Sequence, residues 1–176
     1  MRQGIGVAAR ITIIQPDDWH LHLRDGAAMA DVVRHSARIF ARAVVMPNLR
    51  PPVVTVDGAV EYRQRILEAL PDDSRFEPLM TLYLTDDTSP DEVARARASG
   101  CVVAAKLYPA GATTHSEAGV TSIDRVHGAL GAMEEHDLPL LVHGEVTDLE
   151  VDPFAREAVF FERRLDPLVR RFEGLK

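Results

Sequence analysis

Short apolar runs rich in β-branched residues alternate five times with longer segments of helical periodicity, and this alternation constrains the fold more than any other feature. A parallel sheet covered by helices produces this pattern, because its strands are buried on both faces. The sequence therefore predicts an α/β protein built from consecutive βα units. The predicted strands span residues 11–15 running on to about 23, 42–47, 77–84, 101–108 and 138–145, and the predicted helices span 27–41, 57–70, 90–99, 122–137 and 153–172.

Five units leave two architectures open. A (β/α)8 barrel normally needs eight units and roughly 250 residues, whereas this chain has 176 residues. An open doubly wound sheet fits the number of units, but its usual Gly-rich phosphate loop does not follow the first predicted strand. We expect residues 11–176 to form one domain and residues 1–10 to be an N-terminal lead-in.

Composition excludes several classes of function. The formal net charge of -7 gives no basic excess, so we expect neither nucleic acid nor membrane as a partner. The single cysteine, Cys101, cannot form an internal disulfide, and no apolar run approaches the length of a membrane span. These features together favour a cytoplasmic protein with a small-molecule substrate.

The first predicted strand ends in an unusual polar sequence, Asp18-Trp19-His20-Leu21-His22-Leu23-Arg24-Asp25-Gly26. Residues two apart on a strand project from one face, so His20, His22 and Arg24 should lie together. Two neighbouring imidazoles can bind a divalent metal such as zinc. A pair of exposed or hydrogen-bonded histidines explains the pattern equally well when it is taken alone.

Other predicted strands also end in polar residues. Asn48, after the second strand, is either a ligand-binding amide or a turn residue. Lys106 lies inside the apolar run of the fourth strand, so it must extend to solvent, pair with an acid or be chemically altered. His143 follows the fifth apolar run, where a metal ligand is expected in a parallel α/β fold.

The segment after the fourth strand, residues 110–120, is small and polar enough to be a mobile loop over this site or an ordinary connection. The remaining histidines fall in predicted helices or in this loop, and we expect them on the surface. They are His35, His115, His127 and His136.

Together these stretches resemble dihydroorotase of the bacterial stand-alone type, a member of the amidohydrolase superfamily. The resemblance extends from about residue 11 to the C-terminus and keeps the order of the motifs. The first motif alone also fits hydantoinases and allantoinases, whereas the lysine stretch with its paired threonines narrows the resemblance to dihydroorotase. The matching motifs are His20-Leu21-His22-Leu23-Arg24-Asp25-Gly26, Met46-Pro47-Asn48, Lys106-Leu107-Tyr108-Pro109-Ala110-Gly111-Ala112-Thr113-Thr114, Gly119-Val120-Thr121-Ser122 and Leu141-Val142-His143-Gly144-Glu145.

The resemblance implies a (β/α)8 barrel of which this chain holds about the first five βα units. It implies a binuclear zinc site in which His20 and His22 bind one ion, His143 binds the second, and Lys106 bridges them as N6-carboxylysine. It also implies that Arg24, Asn48, Thr113 and Thr114 bind the substrate. The implied reaction is the reversible cyclisation of N-carbamoyl-L-aspartate to dihydroorotate in pyrimidine biosynthesis, carried out by a homodimer when the protein is full length.

The chain departs from the family pattern after His143. Family members supply a second histidine for the second metal and an aspartate general base from later strands, and we expect both beyond Lys176. No catalytic residue is therefore assigned in this chain, which we expect to be inactive alone, as part of a longer protein or completed by a partner. A hydantoinase-like cyclic amidase and a non-catalytic dihydroorotase-like partner are the alternative functions.

Overall fold

A computed structural model describes residues 10–23 and 25–176. Residues 1–9, which make up most of the predicted lead-in, and the predicted substrate ligand Arg24 lie outside the described residues.

Five parallel strands form one sheet, and each strand pairs with the strand that precedes it in the sequence. A doubly wound sheet reverses its strand order at a switch point, whereas a barrel adds its strands in sequence. The unbroken order therefore favours a half-barrel of the (β/α)8 class over the open sheet. The strands are β1 Asp17–Leu21, β2 Arg42–Val45, β3 Glu77–Tyr83, β4 Val102–Leu107 and β5 Leu140–Val142.

Helices follow the strands as the alternation predicts, and local signals set their starts. Thr55 caps α2 by accepting a hydrogen bond from the Gly58 N–H, and Ser89 caps α3 by accepting from the Glu92 N–H. Short 3₁₀ turns at Gly26–Ala28, Ile123–Val126 and Pro153–Ala155 lead into later helices. The α-helices are α1 Met29–Ile39, α2 Val56–Glu68, α3 Pro90–Ala98, α4 His127–Glu135, α5 Arg156–Phe160 and α6 Asp166–Arg171.

The core lies between the sheet and its covering helices. Tyr62 and Ile66 of α2 and Leu130 and Met133 of α4 are fully buried against the strands. β4 has five buried residues out of six, which agrees with the predicted apolar run. The sheet is therefore a rigid platform whose carboxyl edge can hold functional side chains.

The first predicted strand is too long. β1 begins at Asp17, and Ile11, Ile13 and Ile14 upstream of it are highly exposed. The partner strand begins only at Arg42, so the last backbone bond at this end runs from the Ala41 N–H to the Pro16 carbonyl. Residues 11–15 consequently have no neighbouring strand to pair with, whatever their β-propensity.

The fifth predicted strand, 138–145, is also shorter than expected. β5 ends at Val142 because the next bond from β4 would have to come from the N–H of residue 109, which is a proline and has none. One bond continues past the strand, from the His143 N–H to the Leu107 carbonyl at 2.9 Å.

The last predicted helix, 153–172, is divided. Pro167 has no N–H and its ring crowds the carbonyl four residues earlier, so a regular α-helix cannot run through it. The chain forms a π-helical turn at Phe161–Leu165, in which the Asp166 N–H donates to the Phe161 carbonyl. α5 and α6 lie on either side of this turn.

Both outer strands of the sheet are open among the described residues, since β1 and β5 each pair on one side only. Within the same residues, no helix combines the length and the hydropathy that a bilayer crossing requires.

Candidate functional site

The carboxyl ends of β1, β2, β4 and β5 carry the residues that the sequence singles out. Because parallel strands share one direction, these ends lie along the same edge of the sheet. The structure brings His20, His22 and Asn48 into direct contact there, and it places Lys106 and His143 on neighbouring strand ends.

The two histidines of the first motif converge. Their Nε2 atoms lie 3.0 Å apart and their rings are tilted by 48°. Two nitrogens bound to one zinc at about 2.0–2.1 Å lie roughly 3.0–3.4 Å from each other. The His20 and His22 pair therefore fits a single metal ion as two ligands on one side.

Asn48 orients the second of these rings. Its Oδ1 lies 2.8 Å from His22 Nδ1, and its Nδ2 donates to the Thr114 carbonyl at 3.3 Å. Asn48 is thus more than a turn residue, since both ends of its amide are hydrogen-bonded across sequence separations of 26 and 66 residues.

Lys106 is 3% exposed and does not extend to solvent. Its Nζ lies 5.2 Å from the centre of the Tyr108 ring, and no carboxylate pairs with it among the described residues. The residues outside the description contain no acid at all. Burial lowers the pKa of Lys106 to about 8, because the charged ammonium is poorly solvated there.

Aromatic rings shield the lysine from water. Tyr83 and Tyr108 stack with ring centres 5.1 Å apart, and the Tyr108 ring lies 6.2 Å from that of His143. Burial raises the pKa of Tyr83 to about 12, so this phenol stays protonated at neutral pH. The lysine therefore occupies an environment of low polarity.

His143 offers an unsatisfied nitrogen. Its Nε2 is buried without a hydrogen bond among the described residues, and Glu145 Oε1 lies 3.4 Å away outside hydrogen-bond geometry. A buried polar atom without a hydrogen-bonding partner is uncommon in proteins. This nitrogen suits a metal ligand, as the sequence predicts.

The pKa of His20 is lowered, first by partial desolvation of the ring and then by the positive charge of Lys106. The charges of His22 and His143 lower it further. His20 is consequently neutral near pH 7 and has a lone pair available for a metal.

A cleft of about 430 Å³ opens beside His22. Asn48, Thr113 and Thr114 line it together with His22, so three of the four predicted substrate ligands border one space. The fourth, Arg24, lies outside the described residues.

The loop that carries the two threonines, residues 109–120, is closed by its own hydrogen bonds. The buried Ser116 hydroxyl donates to the Thr113 carbonyl and accepts from the Thr113 N–H. At the base, Gly119 lies so close to Tyr108 that an added Cβ would stand 2.3 Å from the Tyr108 carbonyl oxygen. The loop is therefore shaped before any substrate binds.

His115 is the site residue that the sequence prediction missed. It is half-buried, and its Nδ1 lies 3.1 Å from the Asn48 carbonyl. Its own carbonyl accepts from the Tyr83 hydroxyl at 3.2 Å. Of the other histidines predicted to lie on the surface, His35 is exposed, and His127 and His136 are partly exposed.

Among residues 10–23 and 25–176, no three His, Cys, Asp or Glu side chains form a ready-made metal cluster. The histidine pair supplies two donors and His143 stands apart on β5. Lys106 counts as a donor only after its amine has been modified.

Comparisons with known proteins agree on the fold. Residues 11–159 match the model of the amidohydrolase family. The dihydroorotase of Aromatoleum aromaticum is 64% identical over 166 residues, which cover 94% of this chain and 48% of that protein. The chain therefore spans about half the length of the curated relatives it matches.

Solved structures give the same result. A dihydroorotase from Campylobacter jejuni superposes with a TM-score of 0.83 at 39% identity, over 92% of this chain and 46% of that one. The dihydroorotase of Saccharomyces cerevisiae in complex with 5-fluoroorotic acid superposes with a TM-score of 0.81 at 33% identity, over 92% of this chain and 46% of that one. An L-hydantoinase from Arthrobacter aurescens shares the fold alone. It superposes with a TM-score of 0.70 at 15% identity, over 90% of this chain and 39% of that one.

Proposed function

Because this chain belongs to the amidohydrolase family, we propose that it supplies metal-binding and substrate-binding residues of a dihydroorotase. Such an enzyme interconverts N-carbamoyl-L-aspartate and dihydroorotate. One observation carries the proposal: a buried lysine without an acidic partner and a converging histidine pair lie at one sheet edge of a chain 64% identical to a dihydroorotase.

Each residue has a distinct role in this proposal. His20 and His22 hold one zinc ion through their Nε2 atoms, and His143 holds a second. The donor set of neutral imidazoles and a carbamate oxygen suits zinc. Zinc ions bound there would act as Lewis acids on the ring amide carbonyl.

Lys106 is proposed to be N6-carboxylysine. Of the three possibilities for this residue, solvent exposure and ion pairing do not describe it. With a pKa of about 8, roughly a tenth of its amine is uncharged at pH 7 and can attack carbon dioxide. An N–C bond forms, one proton is released, and the resulting carbamate has two oxygens that can bridge two metals.

The substrate is proposed to lie in the cleft beside His22. Asn48 and Arg24 would bind its carboxylate, with the guanidinium as a bidentate partner. Thr113 and Thr114 would complete the cleft from the loop 109–120. In the cyclisation, the carbamoyl nitrogen bonds to the side-chain carboxyl carbon, and a C–O bond breaks to release water.

The proton-transfer group has no candidate among the residues assigned here. We propose that an aspartate outside this chain supplies it, that the 176 residues alone are inactive, and that the complete protein is a cytoplasmic homodimer. Size measurement of the complete protein in solution tests the last point.

The central experiment assays the protein as its gene encodes it. Dihydroorotate hydrolysis should be efficient, and hydrolysis of unsubstituted hydantoin should be slower by orders of magnitude because hydantoin lacks the carboxylate. Equal turnover of both compounds would replace the dihydroorotase proposal with a general cyclic amidase. No turnover of either, with zinc absent, would favour the non-catalytic partner.

A second measurement tests the carbamate. The chain has two lysines, and the exposed Lys176, which pairs with Asp137 at 2.6 Å, is a natural internal control. In protein exposed to 13C-bicarbonate, a carbamate resonance should survive Lys176→Arg and vanish in Lys106→Arg. Its persistence in Lys106→Arg would refute the assignment.

A further inference from the structure

Asn48 lies between two parts of the site that are distant in sequence. One end of its amide meets the ring of His22, and the other meets the backbone of the loop 109–120 at Thr114. We infer that Asn48 is a positioning residue that sets the tautomer of His22 and couples it to the position of the loop. This inference rests on the proposed function and assigns Asn48 a role besides contact with substrate.

The loop fixes the orientation of the Asn48 amide. The Thr114 carbonyl can only accept a hydrogen bond, so the part of the Asn48 side chain that faces it at 3.3 Å must be the NH2 group. The amide oxygen consequently faces His22. The loop thereby removes the ambiguity between the two orientations of the amide.

The orientation of the amide in turn fixes the proton of His22. The Asn48 Oδ1 atom can only accept, so His22 Nδ1, 2.8 Å away, must carry the proton. In a neutral imidazole with its proton on Nδ1, the lone pair is on Nε2. That Nε2 is the atom which converges with His20 Nε2 at 3.0 Å, so Asn48 prepares His22 to bind metal.

His115 reinforces the same contact from the loop. Its ring nitrogen Nδ1 donates to the Asn48 carbonyl at 3.1 Å, and Tyr83 donates to the His115 carbonyl at 3.2 Å. The backbone φ of His115 is 57°, in the left-handed region, which turns ring and carbonyl toward different partners. Loop and Asn48 are therefore joined by two bonds, one to the side chain and one to the backbone.

Three variants of the complete protein separate the contact of Asn48 with His22 from its contact with the loop. Asn48→Ala removes both contacts of the amide. Asn48→Asp keeps an acceptor for His22 but places a carboxylate oxygen against the Thr114 carbonyl. Glu117→Gln is the matched control, because Glu117 lies on the same loop and its carboxylate pairs with the exposed Arg50 at 3.5 Å.

The first measurement reads the tautomer in metal-free protein by long-range 1H–15N correlation of its labelled histidines, with His22 assigned by its loss in His22→Gln. The Nδ1–H form should dominate in the wild type, Asn48→Asp and Glu117→Gln. Asn48→Ala should give a mixture, and its zinc affinity should fall about 10–100-fold. An unchanged tautomer and zinc affinity in Asn48→Ala would overturn the inference.

The second measurement reads the loop by thermolysin cleavage within residues 109–120. Cleavage should be several-fold faster in Asn48→Asp and Asn48→Ala than in Glu117→Gln. Equal cleavage in all three would refute the coupling to the loop. Both readouts are independent of turnover. An inactive wild-type protein would therefore count against the proposed function, whereas the tautomer and the cleavage rate would still test the inference about Asn48. Melting curves identify any variant that fails to fold.

Discussion

β1 and β4 both carry candidate metal ligands, but they hold them in opposite ways. β4 is bonded on both sides and buries Lys106 to 3% exposure. Among the described residues β1 is bonded on one side only, its register is irregular between Asp18 and Leu21, and the two histidines at its carboxyl end are exposed. Burial therefore fixes the candidate ligand on β4, whereas hydrogen bonds to side chains fix the candidate ligands at the end of β1.

The half-barrel is thus packed to different degrees around its two candidate ligand-bearing strands. Around β4 the described residues already form a packed environment, with Tyr83 and Tyr108 stacked beside the lysine. Around β1 the second neighbouring strand is absent from the described residues. Changes near β4 should consequently have large effects on stability, and changes near β1 should have small ones.

Lys106→Met should have the largest effect, and it should change turnover and stability in opposite directions. If Lys106 is the proposed bridging ligand, its loss should lower dihydroorotate turnover by the complete protein about 10³-fold or more. The unfolding free energy of metal-free protein should rise by about 1–2 kcal/mol, because a buried ammonium is replaced by an apolar chain of similar length. Steady-state kinetics and urea unfolding measure the two effects. A loss of stability in metal-free protein would contradict the account of β4.

Gly119→Ala should be the most destabilising change in the loop after β4. An added Cβ would stand 2.3 Å from the Tyr108 carbonyl oxygen and 2.9 Å from that of Ser116, and backbone cannot easily move away. We expect a loss of about 2–3 kcal/mol in chemical unfolding.

Gly128→Ala is the matched control for this change. Gly128 lies in α4, where a Cβ would meet Pro90 Cγ at 3.6 Å, an ordinary van der Waals contact. Alanine in the helix should raise the unfolding free energy by about 0.5–1 kcal/mol. If both alanines had the same effect, the close approach of Gly119 to Tyr108 would not be the cause.

The two stacked tyrosines should respond differently to loss of their hydroxyls. Tyr83→Phe removes the bond to the His115 carbonyl and should cost about 1 kcal/mol. Tyr108→Phe removes a buried hydroxyl that has no hydrogen bond among the described residues, so it should be neutral or stabilise by up to about 1 kcal/mol. Thermal unfolding of the metal-free variants tests this, and the reverse order would contradict it.

Asp25→Asn tests the β1 side and should have the smallest effect. Arg65 holds the Asp25 carboxylate at 2.8 and 3.1 Å and lowers its pKa, so the folded state binds the proton more weakly than the unfolded chain. The stabilisation is therefore complete above the ordinary value of 3.8 and disappears as the pH falls through the lowered one.

For this partly exposed pair we expect a loss of about 0.5–1 kcal/mol at pH 7 in Asp25→Asn. Asparagine can still accept from the Gly26 N–H, so the turn after β1 is kept. Urea unfolding at pH 7 and at about pH 2 should show the difference between wild type and variant vanish in acid. A difference independent of pH would rule out the ion pair as its source.

The sequence predicts structural features that depend on residues close to one another along the chain. The His20 and His22 spacing, the lysine inside an apolar run and the cap at Ser89 are local signals, and the structure bears out the elements they belong to. Pro167 was also a local signal, and the uninterrupted helix predicted over it was wrong.

What the sequence could not predict depends on distant contacts. The His115 contact with Asn48 joins residues 67 positions apart, and no periodicity marks it. β1 is shorter than its β-branched run because its partner strand β2 begins only at Arg42, after α1 ends at Ile39. The length of β1 is therefore set by the neighbouring strand and not by its own sequence. Substrate specificity belongs to the same category, since it depends on how loops meet over the sheet.

The unbroken strand order also bears on how the protein is made. Each new strand pairs with the one before it, and the register partners are 22 to 35 residues apart in the chain. Every pairing can thus form as soon as its second strand has left the ribosome, without waiting for distant sequence. The sheet can grow in the direction of synthesis, with β5 as the exposed template on which any following strand would be laid.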